Sequence, residues 1–300
     1  MSLQYWGRNF AGQSTQYAAT PVTFASLPPA SSVEGQVRVL SDVNYIEVVS
    51  RGGVWRPRGG RQVLARKYDA PVTTQNTSYI AAARIGPFPG GLVRANMGLV
   101  FRYMYDAGAI GSVARRTRAT VGTAGHALSD AAWVAATSSG TSSLTLRGEA
   151  EGRINVLSDT LVNHSASPRS DNGGYENIVN GYIITSNSKL APPVDFSQPW
   201  DMAVWFQSGN ETAVTITGAS WAAGEATYNA TAHTLAVGDK TTVAGITPSG
   251  YNQVGIVTAV PNADSFKMAL ASDPGAYTSG GTSSRISNVV LQSYTLTLEG

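Results

Sequence analysis

NVVLQSYTLTLE, residues 288–299, is the stretch on which the fold turns. Tyr294, Leu296 and Leu298 alternate with Thr295 and Thr297, the period of two that places one face of a β-strand in a core and the other in water. The same period runs through 97–103, where Met97, Leu99, Phe101 and Tyr103 share a face. Further strand-like runs lie at 116–122, 143–148, 153–157, 177–185, 200–207 and 212–218, the last with Val214 and Ile216 directed inward. Strands of this number and length fit a jelly-roll sandwich over roughly 85–221 plus 284–300, the double-sheet arrangement that protects open edges.

Composition agrees with an all-β chain. Gly-Gly recurs at 52–53, 59–60, 90–91, 173–174 and 280–281, and Pro-Gly at 89–90 and 274–275, which are turn signals between short strands. No three-turn run of helix-forming residues at 3.6 spacing is present. With 42% hydrophobic residues the 300-residue chain can bury a substantial core. It has no cysteine, so disulfides and thiolate metal sites are excluded. No window approaches the ~18 apolar residues of a membrane span, and the opening MSLQYWGRNFAGQSTQY lacks the basic and apolar regions of a secretory signal.

Two further units flank the sandwich pattern. Residues 1–20 read as an extended arm that orders against a partner. Residues 21–75 read as a small attachment module, with strands at 36–42 and 44–50 and a hairpin in VWRPRGGRQVLARK (54–67), where Val54–Trp55 and 61–66 form the arms. Residues 222–283 interrupt two runs that otherwise read as neighbouring strands. Four or five short strands around Gly238–Asp239, Pro248–Gly250 and Pro274–Gly275 make this segment a small β-barrel-like domain inserted at a loop tip.

Charge is distributed unevenly. Residues 1–120 hold fourteen Lys/Arg against five Asp/Glu, whereas 121–300 hold seven against fourteen. The densest basic cluster is Arg56, Arg58, Arg61, Arg66 and Lys67 around Trp55. One reading is a nucleic-acid stripe with phosphate contacts and stacking on Trp55; the other is an interface face in which arginines cover the ring and meet acidic partner groups. No RNP, KH or OB signature accompanies the cluster and its footprint is small, so nucleic acid is not the expected partner.

Two stretches carry a family resemblance. In SLPPASSVEGQVRVLSDVN…WRPRGGRQVLAR (26–66), Leu27, Pro28, Ala30, Gly35, Val39, Asp42, Trp55, Pro57 and Gly60 match a module near the start of bacteriophage tail-fibre, head-fibre and other virion proteins. In ATYNATAHTLAVGDKTTVAGITPSGYNQVGIVTAVPNADSFKMAL (226–270), His233, Leu235, Val237, Gly238, Asp239, Gly245, Tyr251, Asn252 and Val257 resemble a small β repeat of phage structural proteins. Thr234 and Gln253 stand where that repeat usually has Gly. The 88–220 pattern is similar to trimeric jelly-roll heads of phage fibres and decoration proteins. The resemblance implies a virion fibre or spike made of three copies, assembled in the bacterial cytoplasm. Other virion proteins of capsid, tail or baseplate would bind its N-terminal part through Trp6, Trp55, Arg56, Arg58, Arg61 and Arg66. A host cell-surface glycan would be a further partner, with Trp133, Tyr175 and Tyr251 as candidate contacts. Capsid decoration, a glycan-active tailspike enzyme and a bacterial surface adhesin are the alternatives.

Catalytic signals are sparse. Glu149 and Glu151 share a strand face and Asp171 and Glu176 share a loop, each a candidate carboxylate pair for glycan cleavage, and each equally readable as solvated charge. His126 and Asp130 are four apart, which reads as a polar loop rather than a metal site. VGTAGHA (121–127) lacks the Gly-Lys-Ser/Thr ending of a phosphate loop, and no Gly-x-Ser-x-Gly elbow is present. Expected, therefore, are no catalytic residue, no metal, no cofactor and no enzymatic activity.

Overall fold

The computed structural model describes residues 5–8, 14–17, 20–68, 71–107, 115–130, 132–139, 146–156, 162–170, 188–189 and 194–300. Apart from short 3-10 turns, its regular elements are strands, as the alternation requires. In the N-terminal part these are β1 (Tyr5–Arg8), β2 (Ser14–Tyr17), β3 (Val37–Leu40), β4 (Ile46–Arg51), β5 (Val54–Pro57), β6 (Arg61–Lys67) and β7 (Val72–Thr74). Then come β8 (Ile80–Phe88), β9 (Met97–Ala107), β10 (Arg115–Thr123) and β11 (Ala132–Ser139). They are followed by β12 (Leu146–Val156), β13 (Val162–Ser170), β14 (Ser188–Lys189) and β15 (Trp200–Gln207). The remainder are β16 (Val214–Thr215), β17 (Gly218–Ala222), β18 (Glu225–Asn229) and β19 (Lys240–Ala244), then β20 (Gln253–Asn262), β21 (Ser265–Ala269), β22 (Thr282–Arg285) and β23 (Val289–Glu299).

Eight of these strands form the sandwich. One sheet has the order β6-β23-β9-β12 and the other β8-β15-β10-β11, with β13 and β14 extending the first sheet and β7 also pairing β23. Followed along the chain, the eight pass between the sheets as two Greek keys, which is the jelly-roll topology. Met97, Leu99, Phe101, Tyr103 and Tyr105 of β9 face Trp200, Met202, Val204 and Phe206 of β15 across a single core. Tyr105 and Phe206 have ring centroids 6.1 Å apart. Tyr103 brings its hydroxyl to Thr117 Oγ1 at 2.7 Å, so the buried polar groups of this layer satisfy one another.

β23 lies between β9 and β6. Its buried residues change parity: Val289 and Leu291 at one end, Leu296 and Leu298 at the other. A register shift against β9 between Leu291 and Ser293 accommodates the change. One extra residue in a ladder restores the same face to the core.

The RPRGG segment departs from the expected hairpin. β5 pairs with β4 in a three-stranded β3-β4-β5 sheet, and β6 pairs with β23 instead. Pro57 lacks an N–H for further pairing, and Gly59 and Gly60 both take positive φ (+81° and +79°), so the chain turns a corner between sheets. Burying Leu64 in the sandwich core together with Leu40, Ile46 and Val48 is what pairing with β23 gains. The N-terminal module and the sandwich therefore share a strand and a core.

The inserted unit is wider than 222–283. The 212–218 run belongs to it rather than to the sandwich: β16 pairs β22, and β17 pairs β18, at opposite ends of the sheet order β16-β22-β19-β20-β21-β18-β17. β16 and β17 are consecutive, and Ile216 N–H to Gly281 O (2.9 Å) and Thr217 N–H to Asn229 O (2.8 Å) carry both ladders across the gap. The sheet thus curls round as a small barrel, its two end strands following one another along the chain. Its separate core holds Ile216, Tyr228, Val243, Tyr251, Val257, Phe266 and Met268, with Tyr228 stacked on Phe266 at 5.1 Å.

The motif residues of this barrel serve its loops. Asn252 takes the Ile246 N–H (2.8 Å) and donates to Ile246 O (3.1 Å). Asp239 Oδ2 accepts the Ala236 N–H (2.8 Å), and His233 Nδ1 accepts the Leu235 N–H (3.0 Å). Gln253 donates to the Tyr228 hydroxyl (2.9 Å). Exposed Thr234 has φ +54°, the left-handed conformation that Gly adopts without penalty. The predicted strand at 177–185 lies outside the described residues.

Two outcomes follow for stability. Thr234→Gly raises the unfolding free energy of the barrel by about 1 kcal/mol; destabilisation in a denaturant titration would contradict the strain. Leu64→Ala costs about 2–5 kcal/mol and lowers the sandwich transition itself, whereas an effect confined to a separate N-terminal transition would contradict the shared core.

Candidate functional site

The basic cluster of 54–67 divides between two surfaces. On the three-stranded sheet, β4 and β5 pair Val49 with Arg56 and Arg51 with Val54, so side chains at 47, 49 and 51 share a face with those at 54 and 56. Arg58 N–H bonds to Glu47 O at 2.9 Å and continues the ladder. Val49, Arg51, Arg56, Pro57, Arg58, Gly59, Gly60 and Gly300 line a cleft of ≈ 430 Å³ on this side. Arg58 Nη1 lies 3.0 Å from Glu47 Oε2. Glu34, beside the 52–53 turn, accepts the Gly52 N–H at 2.7 Å, which holds its carboxyl below the ordinary range, helped by Gly53, Ser50 and the charge of Arg51 and opposed by desolvation. The lining itself contains three guanidinium groups and no carboxylate.

The other expected contacts lie elsewhere. Trp55 is half-buried against the core, and its Nε1–H donates to Pro28 O at 2.9 Å, so the ring is no open stacking platform. Arg61, on β6, pairs with Glu299 at 2.8 Å, and Arg66 is exposed on the same strand. Trp6 lies on β1, where its side chain is outside the described residues. Arg51 was absent from the sequence-based set. The signal that finds it is register, because only pairing 49 with 56 brings 51 beside the RPR segment.

Of the three candidate glycan contacts, only Tyr251 has its side chain among the described residues. Trp133 lies on β11 with its side chain outside the described residues, and Tyr175 lies outside them altogether. Tyr251 is corrected: it is 1% exposed, packed edge-on against Tyr228 and bonded through its hydroxyl to Gly275 O at 3.0 Å. Burial, with Asp273 nearby, pushes that hydroxyl above the ordinary tyrosine range. Of the carboxylate pairs, Glu149 and Glu151 do share a face of β12, and Arg102 of β9 reaches both, Glu151 at 3.8 Å. Asp171 and Glu176 lie outside the described residues.

A buried polar relay was not foreseen. His126 does not meet Asp130; it turns onto the outer face of the second sheet. Trp205 Nε1–H donates to Thr120 Oγ1 at 2.7 Å, and Thr120 Oγ1 lies 2.9 Å from His126 Nε2. The indole can only donate, so Thr120 Oγ1 accepts from it and turns its remaining hydrogen-bonding capacity to His126 Nε2. Nδ1 is 2.5 Å from Asp201 Oδ1, within ion-pair reach but out of line for a hydrogen bond. Asp201 Oδ2 accepts the Gly125 N–H at 2.8 Å and faces Arg84 Nη1 at 3.5 Å. Arg84 also donates to His126 O at 2.8 Å and lies 5.3 Å from the Trp205 ring.

The hydroxyl–imidazole–carboxylate order is that of an activated nucleophile, but Thr120 is fully buried and its oxygen is capped by the indole. What the relay does is fasten the 124–130 loop over the sheet. Gly122 is required by it, because a Cβ there would lie 2.8 Å from His126 Cγ. Trp205 is buried on this opposite face rather than in the sandwich core. Among the described residues no group of three or more His, Asp or Glu side chains is arranged to hold a metal ion. No helix among them is long and apolar enough to cross a membrane.

No protein-family model matches the chain, and no curated protein matches it. Among solved structures it is similar to the phage phi92 endosialidase, at 15% identity and a TM-score of 0.20, over 91% of this chain and 35% of that one. The chain thus spans about a third of the length of that protein. By its name that protein is an enzyme, and with this finding the expectation that the chain has no enzymatic activity is withdrawn. At this level of likeness no activity or residue role transfers.

Asp201→Asn or His126→Ala lowers stability by about 2–4 kcal/mol, read as a shift in urea midpoint. A loss under about 0.5 kcal/mol, the scale of ordinary surface changes, would show that the loop is held by other contacts.

Proposed function

We propose that this chain is a bacteriophage virion protein of the fibre or spike kind, assembled as a trimer, attached through its N-terminal module and presenting its barrel outward. The observation that carries the reading is a jelly roll with a small curled barrel set into the connection from β15 to β23. The jelly roll is a recurrent solution in viral shells and in carbohydrate-binding domains. A fold alone does not fix a role. The resemblance of 26–66 to a virion module and of 226–270 to a phage structural repeat supports the narrower reading. A charge content of only 13% favours burial of flanks against identical copies, and such assemblies close by symmetry.

Imaging of whole particles carrying a labelled copy tests the placement. Density at the tail supports a fibre or spike, density over capsid capsomers makes the chain a decoration protein, and absence from purified particles overturns the reading. Light scattering of the purified chain should return three times 31.4 kDa; the single-chain mass at micromolar concentration would contradict the trimer. The same preparation incubated with host polysaccharide and assayed for new reducing ends measures whether the spike cleaves what it touches.

A further inference from the structure

We infer that the cleft between β4, β5 and the 58–60 corner binds an extended acidic peptide segment of a partner protein, one with carboxylates at alternate positions. The inference rests on reading the N-terminal module as the attachment end, and it names the chemistry of that attachment.

Three features of the cleft point this way. First, its lining presents Arg51, Arg56 and Arg58 against two nearby carboxylates, Glu47 on Arg58 at 3.0 Å and Glu34 within electrostatic reach of Arg51. Guanidinium groups bind carboxylates through paired, directional hydrogen bonds and can serve more than one acceptor, so the remaining positive charge favours an acidic partner. Second, the arginines are spaced by strand geometry. Arg56 and Arg58 are two residues apart on one face, a separation of about 6.5–7 Å, which is also the spacing of side chains at i and i+2 in an extended peptide. Third, β5 is the outer strand of its sheet, so an extended segment can lie alongside it.

The same observations disfavour nucleic acid. Its binding to single strands relies on aromatic rings open to bases, and Trp55 is turned away, packed on the core with its N–H spent on Pro28 O.

The experiment is calorimetry on the full chain with a seven-residue peptide of threonine and glutamate in alternation. A second peptide has the same composition with its glutamates consecutive, and inorganic phosphate and a thymidine oligonucleotide complete the set. The alternating peptide should bind more tightly than the other three, and more weakly as salt rises. Arg51→Glu with Arg56→Glu should weaken it by about tenfold or more with an unchanged melting temperature, while Arg66→Glu, on the other surface, should leave it unaltered. No binding of the alternating peptide, equal binding of the two peptides, indifference to the Arg51/Arg56 change, or tighter binding of the oligonucleotide or phosphate would each overturn the inference. Peptide binding by a chain absent from particles would remove the virion reading alone, and particles that carry a chain without peptide binding would remove the cleft inference alone.

Discussion

The pairing of β23 on both of its edges is the constraint from which the rest of the molecule follows. On one side it takes β9 along its length, and on the other it takes β7 and then β6. A strand in the middle of a sheet must satisfy two ladders and bury one face. The sequence of β23 meets both demands through alternation and a bulge that corrects its parity. Because β6 is one of those neighbours, the N-terminal module cannot be a bead on a string: its core residues Leu40, Val43, Ile46 and Val48 join that of the sandwich. Because β23 follows β22 after a short link, the barrel is set into the sandwich at both of its ends.

The same strand shapes the basic cleft. Glu299 pairs with Arg61 and with Arg153, and the Gly300 N–H bonds to Gly60 O at 3.0 Å. That bond fixes the Gly59–Gly60 corner, which is one wall of the cleft. Packing of Leu296 and Leu298 in the interior is thereby linked to where Arg56 and Arg58 stand on the surface. The buried relay plays the corresponding part on the second sheet, where Asp201 joins the 124–130 loop to Arg84 of β8.

Much of this was legible in the chain before its structure. Period-two runs at 97–103 and 288–299 became β9 and β23, because strands half buried in a sandwich announce themselves by alternation, and the strand-like runs at 116–122 and 200–207 became β10 and β15. The inserted unit was legible from its turns. Pairing partners were not. Nothing within 54–67 says that β6 prefers β23, 230 residues on, to adjacent β5, and a Gly-Gly pair serves a corner as well as a hairpin. The edge of the insert was misplaced because Val214 and Ile216 alternate equally well for a barrel or a sandwich. His126, Thr120, Asp201 and Arg84 carry no local mark of their association, since each is contributed by a different strand or loop. Tyr251 showed the limit of reading aromatic residues as contacts: composition names the ring, and only packing says which way it faces.

Hydrogen exchange of individual amides tests the central pairing most directly. If β6 lies in the sandwich sheet, its amides bonded to β23 exchange at the slow rate of the β9–β23 ladder, and both respond together to denaturant. Exchange of β6 at the rate of β3, β4 and β5, well ahead of β23, would show that it belongs to a separate hairpin module and that the jelly roll described above lacks one of its eight strands.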